Sequence, residues 1–328
     1  MFVRKNLIFF IIATVWSGWL YLMFERDLWH LFADNWYMSV TMAFGSFIAG
    51  ATSEGGGAVA FPVMTLLFNI APSIARDFSL MIQSVGMIAA SIAIFAFGIK
   101  VEKRALVYGS LGGATGICLG LSFIAPQISP PVAKIFFTSL WLSFAVALFL
   151  INRYKNRPTV DAIVNHSKVS AIILITAGLI GGIVSSITGS GLDILTFAVL
   201  VLFFRVSEKI ATPTSVVLMG INAVTGFIYK DFALGGMSEA AWNYWYVCVP
   251  IVVVGAPLGS YVIKHMHRHS IAWILYISIF TQYTAALIII PHTTALWVFN
   301  LGTFLAGSII FAGIAKMGAA RSARTFAS

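Results

Sequence analysis

The sequence predicts an all-α polytopic membrane protein, and three observations carry that prediction. Hydrophobic residues make up 59% of the 328-residue chain and charged residues only 9%, whereas a soluble domain is about 25% charged. Apolar stretches follow one another from end to end. They lack the alternating segments of about ten residues that mark a membrane barrel. Two of these stretches are interrupted, at Ala51-Thr52-Ser53-Glu54-Gly55-Gly56-Gly57 and at Ile187-Thr188-Gly189-Ser190-Gly191-Leu192-Asp193. A lipid-facing helix has no use for consecutive glycines, hydroxyls and a carboxylate, so both interruptions belong inside the protein, lining a cavity.

In chain order, the spans read as 7–24, 36–51, 58–68, 78–98, 105–124, 132–151, 169–187, 194–204, 213–229, 242–263, 271–290 and 293–314. The first follows Arg4-Lys5 like a signal peptide. It lacks a small-x-small cleavage site before Glu25-Arg26-Asp27, so it is kept as a membrane helix. Residues 25–35, with Trp29 and then Trp36, suit the membrane interface. The arms 58–68 and 194–204 would each extend about 17 Å as helix, against a hydrocarbon core of about 30 Å. Each pair of arms therefore forms a re-entrant hairpin or a partial span, its break near mid-depth. Proline at 213 is read as beginning its helix, where proline is tolerated. The organisation expected is an N-terminal helix and interfacial segment (1–35), a first repeat (36–151), a cytoplasmic linker (152–168), a second repeat (169–290), and a last helix with a cytoplasmic tail (291–328).

The net charge of +9 does not signal nucleic acid, because the basic residues lie at helix ends and not along one face. With the N-terminus in the cytoplasm, only Arg26, Arg76, Lys134 and Lys230 of the 20 basic residues fall outside, as the positive-inside rule requires. Both termini are then cytoplasmic and the partner surface is the lipid bilayer of the plasma membrane. Cys118 and Cys248 lie in apolar runs and read as core residues. There is no disulfide framework or zinc spacing, and no cofactor is implied. His265, His267 and His269 read as polar loop residues that set topology; lone metal-binding spacing is the weaker reading.

The two interrupted regions are related by one shift of 136 residues. Gly45 falls on Gly181, Thr52 on Thr188, Gly55 on Gly191, Phe61 on Phe197, Phe68 on Phe204 and Ser79 on Ser215. The charge pattern puts the start of the first copy outside and that of the second inside. Inverted repeats with matching broken helices are the sequence pattern of secondary transporters, with substrate bound where the repeats meet.

The triple glycine after a short helix, Phe61-Pro62 beyond it, and the degenerate second copy half a chain later resemble the TauE/SafE family of sulfite and organosulfonate exporters. The likeness runs from about residue 37 to 290. It implies a plasma-membrane carrier for sulfite or another small sulfur oxyanion or organic acid anion. The second copy departs from the pattern, with Ala198 where Pro62 stands and Leu192-Asp193 in place of Gly56-Gly57.

A helix that starts after a glycine break offers free N–H groups and a partial positive charge, an anion site without a buried cation. Candidate binding residues are Thr52, Ser53, Gly55, Gly56 and Gly57 in the first break and Thr188, Gly189, Ser190 and Gly191 in the second. Gln83 and Asn222, on the helices that follow, are polar groups in apolar runs. The competing reading is that the small residues allow close helix packing, as Gly109, Gly112, Gly113, Gly116, Gly120, Gly255 and Gly259 do elsewhere. Glu54 and Asp193 are candidates for coupling to a proton or cation, because an ionised carboxylate beside the site repels an anion. Arg76-Asp77 reads as a local ion pair in the outer connection. No histidine in a later span could serve as a base, His292 being at a helix end, so an enzyme is not expected. An anion channel remains the alternative to a carrier.

Overall fold

The computed structural model describes residues 2–153, 159–164, 167–291 and 293–327, with backbone only for 2–7, Arg268 and 321–327. Lys155, Arg157 and His292 lie outside the described residues. Twelve α-helices and no strand occur among those described: α1 (Phe2–Glu25), α2 (Leu31–Ala51), α3 (Gly55–Pro62), α4 (Pro72–Ala96), α5 (Lys103–Leu119), α6 (Pro130–Asn152), α7 (Lys168–Thr188), α8 (Leu192–Ala198), α9 (Glu208–Ala233), α10 (Glu239–Ile263), α11 (Arg268–Ile289) and α12 (Thr294–Ala327). Nine of the described helices are long and apolar enough to cross a membrane, so the all-α polytopic class holds.

The two copies repeat their local geometry at the ends of the short arms. Each short arm ends in a π-helical turn, Val63–Leu67 after α3 and Val199–Phe203 after α8. Each turn closes on a residue of positive φ, Asn69 at 50° and Arg205 at 59°. The following N–H returns to the turn, Ile70 to Met64 O at 2.8 Å and Val206 to Leu200 O at 2.9 Å. Every one of these pairs is separated by the 136-residue shift. With its turn, each arm is only about 20 Å long.

Three boundaries differ from expectation. α2 begins at Leu31, kinked at Asn35 (φ −125°, ψ 19°), so the interfacial segment shrinks to the residues before Leu31. α4 begins at Pro72, at N1, where the missing N–H costs nothing. Arg76 and Asp77 therefore stand on its second turn and not in a connection. α9 begins at Glu208, because Ser207 O receives the N–H groups of Ile210 and Ala211, both at 2.9 Å. Pro213 is thus inside its helix. The charged and proline residues that mimic boundaries are accommodated because other elements bury and pair them.

Glycine lets helices of one copy touch those of the other. A Cβ on Gly112 of α5 would lie 2.0 Å from Ile175 O of α7, and one on Gly116 would lie 2.1 Å from Leu179 O. The matching contact is α10 on α2, where a Gly259 Cβ would meet Phe47 O at 2.2 Å and a Gly50 Cβ would meet Ala256 O at 1.9 Å. These glycines are packing residues, as the sequence suggests. α4 packs on α10 and on α9, and α9 packs on α5.

Polar backbone exposed by prolines is satisfied from neighbouring helices, as an apolar surround requires. Pro250 frees the Tyr246 carbonyl, which receives the indole N–H of Trp19 from α1 at 2.7 Å. The linker is held by its own bonds. Val160 pairs with Arg205 O (2.9 Å) and Ser207 N (3.0 Å), and Ile163 N donates to Glu102 Oε2 at 2.9 Å.

The glycine contacts lead to a stability prediction. Gly112→Ala overpacks a backbone contact and should cost about 1–3 kcal/mol, read as a lower melting temperature in detergent. Gly302→Ala on α12, where nothing lies within 4 Å, should leave it unchanged. Equal melting temperatures for the two variants would contradict the cross-copy packing.

Candidate substrate site at the paired helix breaks

Each break is braced by its threonine. Thr52 follows α2 in extended backbone (φ −133°, ψ 173°). Its hydroxyl donates to Ile48 O at 2.9 Å and accepts the Glu54 N–H at 3.3 Å. Thr188 ends α7 and donates to Ser190 O at 2.7 Å. Both threonine hydroxyls are therefore committed to their own chain ends. Backbone conformation and close contact demand glycine at Gly55 and at Gly189. Gly55 has φ +69°, and a Cβ there would lie 2.3 Å from Asp193 Oδ2; Gly189 has φ +81°, and its Cβ would lie 2.4 Å from Ser79 Cβ.

The two breaks meet. Ser190 Oγ reaches Glu54 O at 3.0 Å and the Asp193 carboxylate at 3.1 and 3.2 Å, with one proton to give among them. Gln83 Nε2 donates to Gly189 O at 2.7 Å and to Ser79 O at 2.9 Å. Both acceptors are carbonyls, which fixes the amide orientation. Gln83 thus clamps the second break onto the helix of the first copy. Asn222 lies on the side of α5, its amide oxygen 3.2 Å from the place of a Gly113 Cβ, which also falls 2.9 Å from Leu192 Cδ2 at the start of α8.

The acids behave differently. Asp193 Oδ1 accepts the N–H groups of Gly191 and Ile194, both at 3.0 Å, and Leu192 N donates to Ser185 Oγ at 3.0 Å. The start of α8 is thereby closed by the protein's own carboxylate. α3 has no side-chain cap, because Glu54 turns away and accepts the hydroxyl of Ser278 on α11 at 2.6 Å. Ser278 in turn accepts from Gln282 at 2.9 Å.

The cluster also contains polar atoms with no partner among the described residues: Ser46 Oγ, Ser53 Oγ, Glu54 Oε1, Ser79 Oγ, Gln83 Oε1 and both amide atoms of Asn222. All seven atoms belong to residues at most 2% exposed. Leaving such a group unsatisfied costs about 1–3 kcal/mol. Beside Gly56, Gln83 and Ser46 lies a cavity of about 10 Å³, roughly room for one water molecule. A polyatomic anion enters only if the helices part.

Sequence reasoning brought Thr52, Ser53, Glu54, Gly55, Gly56, Gly57, Gln83, Thr188, Gly189, Ser190, Gly191 and Asp193 to one place. It missed Ser79, Ser185 and Ser278. The available signal for the last was Ser278 and Gln282, four apart in an apolar helix, which puts both on one face.

A family model described as Sulfite exporter TauE/SafE matches residues 37–286. This chain belongs to the TauE/SafE family. It is a membrane transporter of that sulfite exporter family and not an enzyme. The TauE/SafE match begins in α2 and ends in α11, which leaves α1 and α12 outside it. No curated protein and no solved structure matched in comparison.

The committed threonine hydroxyls make a second stability prediction. Thr52→Val and Thr188→Val should each destabilise the fold by roughly 1 kcal/mol, seen as a lower melting temperature. A threonine variant as stable as the parent would show that the hydroxyl does not brace its break.

Proposed function

We propose that this TauE/SafE protein is a secondary carrier that moves a small anion, sulfite or a related sulfur oxyanion or organosulfonate, by alternating access where its two copies meet. The observation that supports this best is the set of buried, unpartnered polar atoms beside the uncapped start of α3. Ser53 Oγ stands there as a hydroxyl donor, and Gly55, Gly56 and Gly57 let an oxyanion approach the backbone N–H groups closely. The second copy contributes Thr188, Gly189, Ser190 and Gly191 as the opposing wall, with Gln83 and Asn222 from the following helices. Binding through dipoles and hydroxyls is weak enough to let the ion leave again.

Glu54 and Asp193 sit at the same place and supply the coupling. An anion and an ionised carboxylate repel each other in this surround, so a proton or cation that neutralises the carboxylate favours the loaded state. The small cavity favours a carrier over a channel, because a channel needs a continuous path. Charge asymmetry supports inverted copies with both termini in the cytoplasm.

Ser53→Ala is the informative variant. Its hydroxyl holds nothing in the protein, so the melting temperature should stay within about a degree of the parent. In a thermal-shift screen of sulfite, sulfate, thiosulfate, sulfoacetate, taurine and lactate, at least one sulfur oxyanion should stabilise the parent by mass action. That stabilisation should require about tenfold more ligand in Ser53→Ala, a difference of about 1.4 kcal/mol. Failure of every anion to stabilise the parent would overturn the reading.

A further inference from the structure

A second feature of the molecule lies beside the break and is built of charge. A cavity of about 500 Å³ opens between the start of α4, the ends of α5 and α9, and the start of α6. Its lining includes Arg76, Lys230, Ser73, Ser122 and Ile187. Arg76 donates to Asp77 Oδ1 through Nη2 at 3.0 Å and Nε at 3.1 Å, and Lys230 Nζ is bound to Asp77 Oδ2. The two cations are 12% and 14% exposed and the carboxylate only 2%. Two cations therefore share one acid, and the excess positive charge faces the cavity.

The position of this cavity relates it to the break. Ile187, in its wall, immediately precedes Thr188 and Gly189. The Arg76 carbonyl lies 3.0 Å from where a Gly189 Cβ would be. The arrangement is also one-sided, since the residues matching Arg76 and Asp77 in the second copy are Thr212 and Pro213. The residue matching Ala71, which lines this cavity, is Ser207, and there the linker lies against it through Val160 O.

We propose that the Arg76–Asp77–Lys230 cluster is a second anion site, an antechamber that holds the transported oxyanion one step from the break. Resting on the carrier reading above, it adds a step in which the anion is held between the break and the outer face. In the resting state Asp77 occupies both cations. An arriving oxyanion, with several acceptor oxygens, takes Arg76 and Lys230 from Asp77 and brings its charge to the mouth of the break. Steering of this kind is felt at low ionic strength and screened by salt.

The test uses the full chain with sodium sulfite, in detergent for binding and in proteoliposomes for flux. Asp77→Asn removes the competing acid and should tighten sulfite binding by about tenfold, with loss of some stability. Lys230→Gln should raise KM several-fold and flatten the dependence of KM on ionic strength, with maximal flux little changed. A purely structural ion cluster predicts the opposite, with lower melting temperatures but unaltered sulfite affinity and KM in both variants. Where a variant fails to fold, the parent decides alone, because a KM unchanged between low and high ionic strength overturns the proposal. The break reading is separable. If Asp77→Asn and Lys230→Gln act as stated but Ser53→Ala does not, the antechamber stands and the break site falls.

Discussion

Two hydrogen bonds across the copies, Ser190 Oγ to Glu54 O and Gln83 Nε2 to Gly189 O, are what the rest of the molecule depends on. A helix broken within an apolar surround leaves carbonyl and N–H groups that nothing in the lipid can satisfy, at a cost of several kcal/mol each. Each break here is completed by the other half of the chain. The glycine contacts of α5 with α7 and of α2 with α10 serve the same end, since they set the distance at which these bonds can form. Separation of the halves would break the two bonds together and open the space beside Gly55.

The duplicated geometry is not used symmetrically. Asp193 closes the start of α8 with its own carboxylate, whereas Glu54 leaves α3 uncapped and binds Ser278 of α11. The uncapped backbone is thereby concentrated at one helix end. The other acid becomes a structural cap that also contacts the shared Ser190 hydroxyl. The charged cavity at Arg76 and Lys230 and the linker laid over Ser207 extend this inequality to the surroundings of the break. One approach to the site carries charge and space, and the matching place in the second copy is covered by chain.

Much of this was legible in the sequence because glycine, proline and charge carry strong local signals. The 136-residue shift proved accurate to single residues in the π-helical turns and at the positive-φ positions Asn69 and Arg205. The meeting of Gly55 with Asp193 follows from that duplication once the halves pack together. Other features were not legible. Arg76-Asp77 and Pro213 read as boundaries because charge and proline usually end a membrane helix. Here Lys230, 153 residues from Asp77, shares the Asp77 carboxylate with Arg76, and the second costs only the carbonyl of Lys209. Ser278 and Gln282 mark a polar face, but the hold of Ser278 on Glu54 did not follow from it, because a serine in an apolar helix usually bonds its own backbone. The role of Asp193 as a cap needed the conformation of Gly191, which residue type alone does not give.

Selenite has the shape and charge of sulfite and scatters anomalously, so its position can be seen directly. A crystal of the protein grown with selenite should show an anomalous peak within hydrogen-bond distance of Ser53 Oγ and the N–H groups of Gly55 to Gly57, with Gly189 to Gly191 opposite. Selenite that inhibits sulfite flux yet gives no peak near the paired breaks would contradict the claim that the two copies meet around the anion.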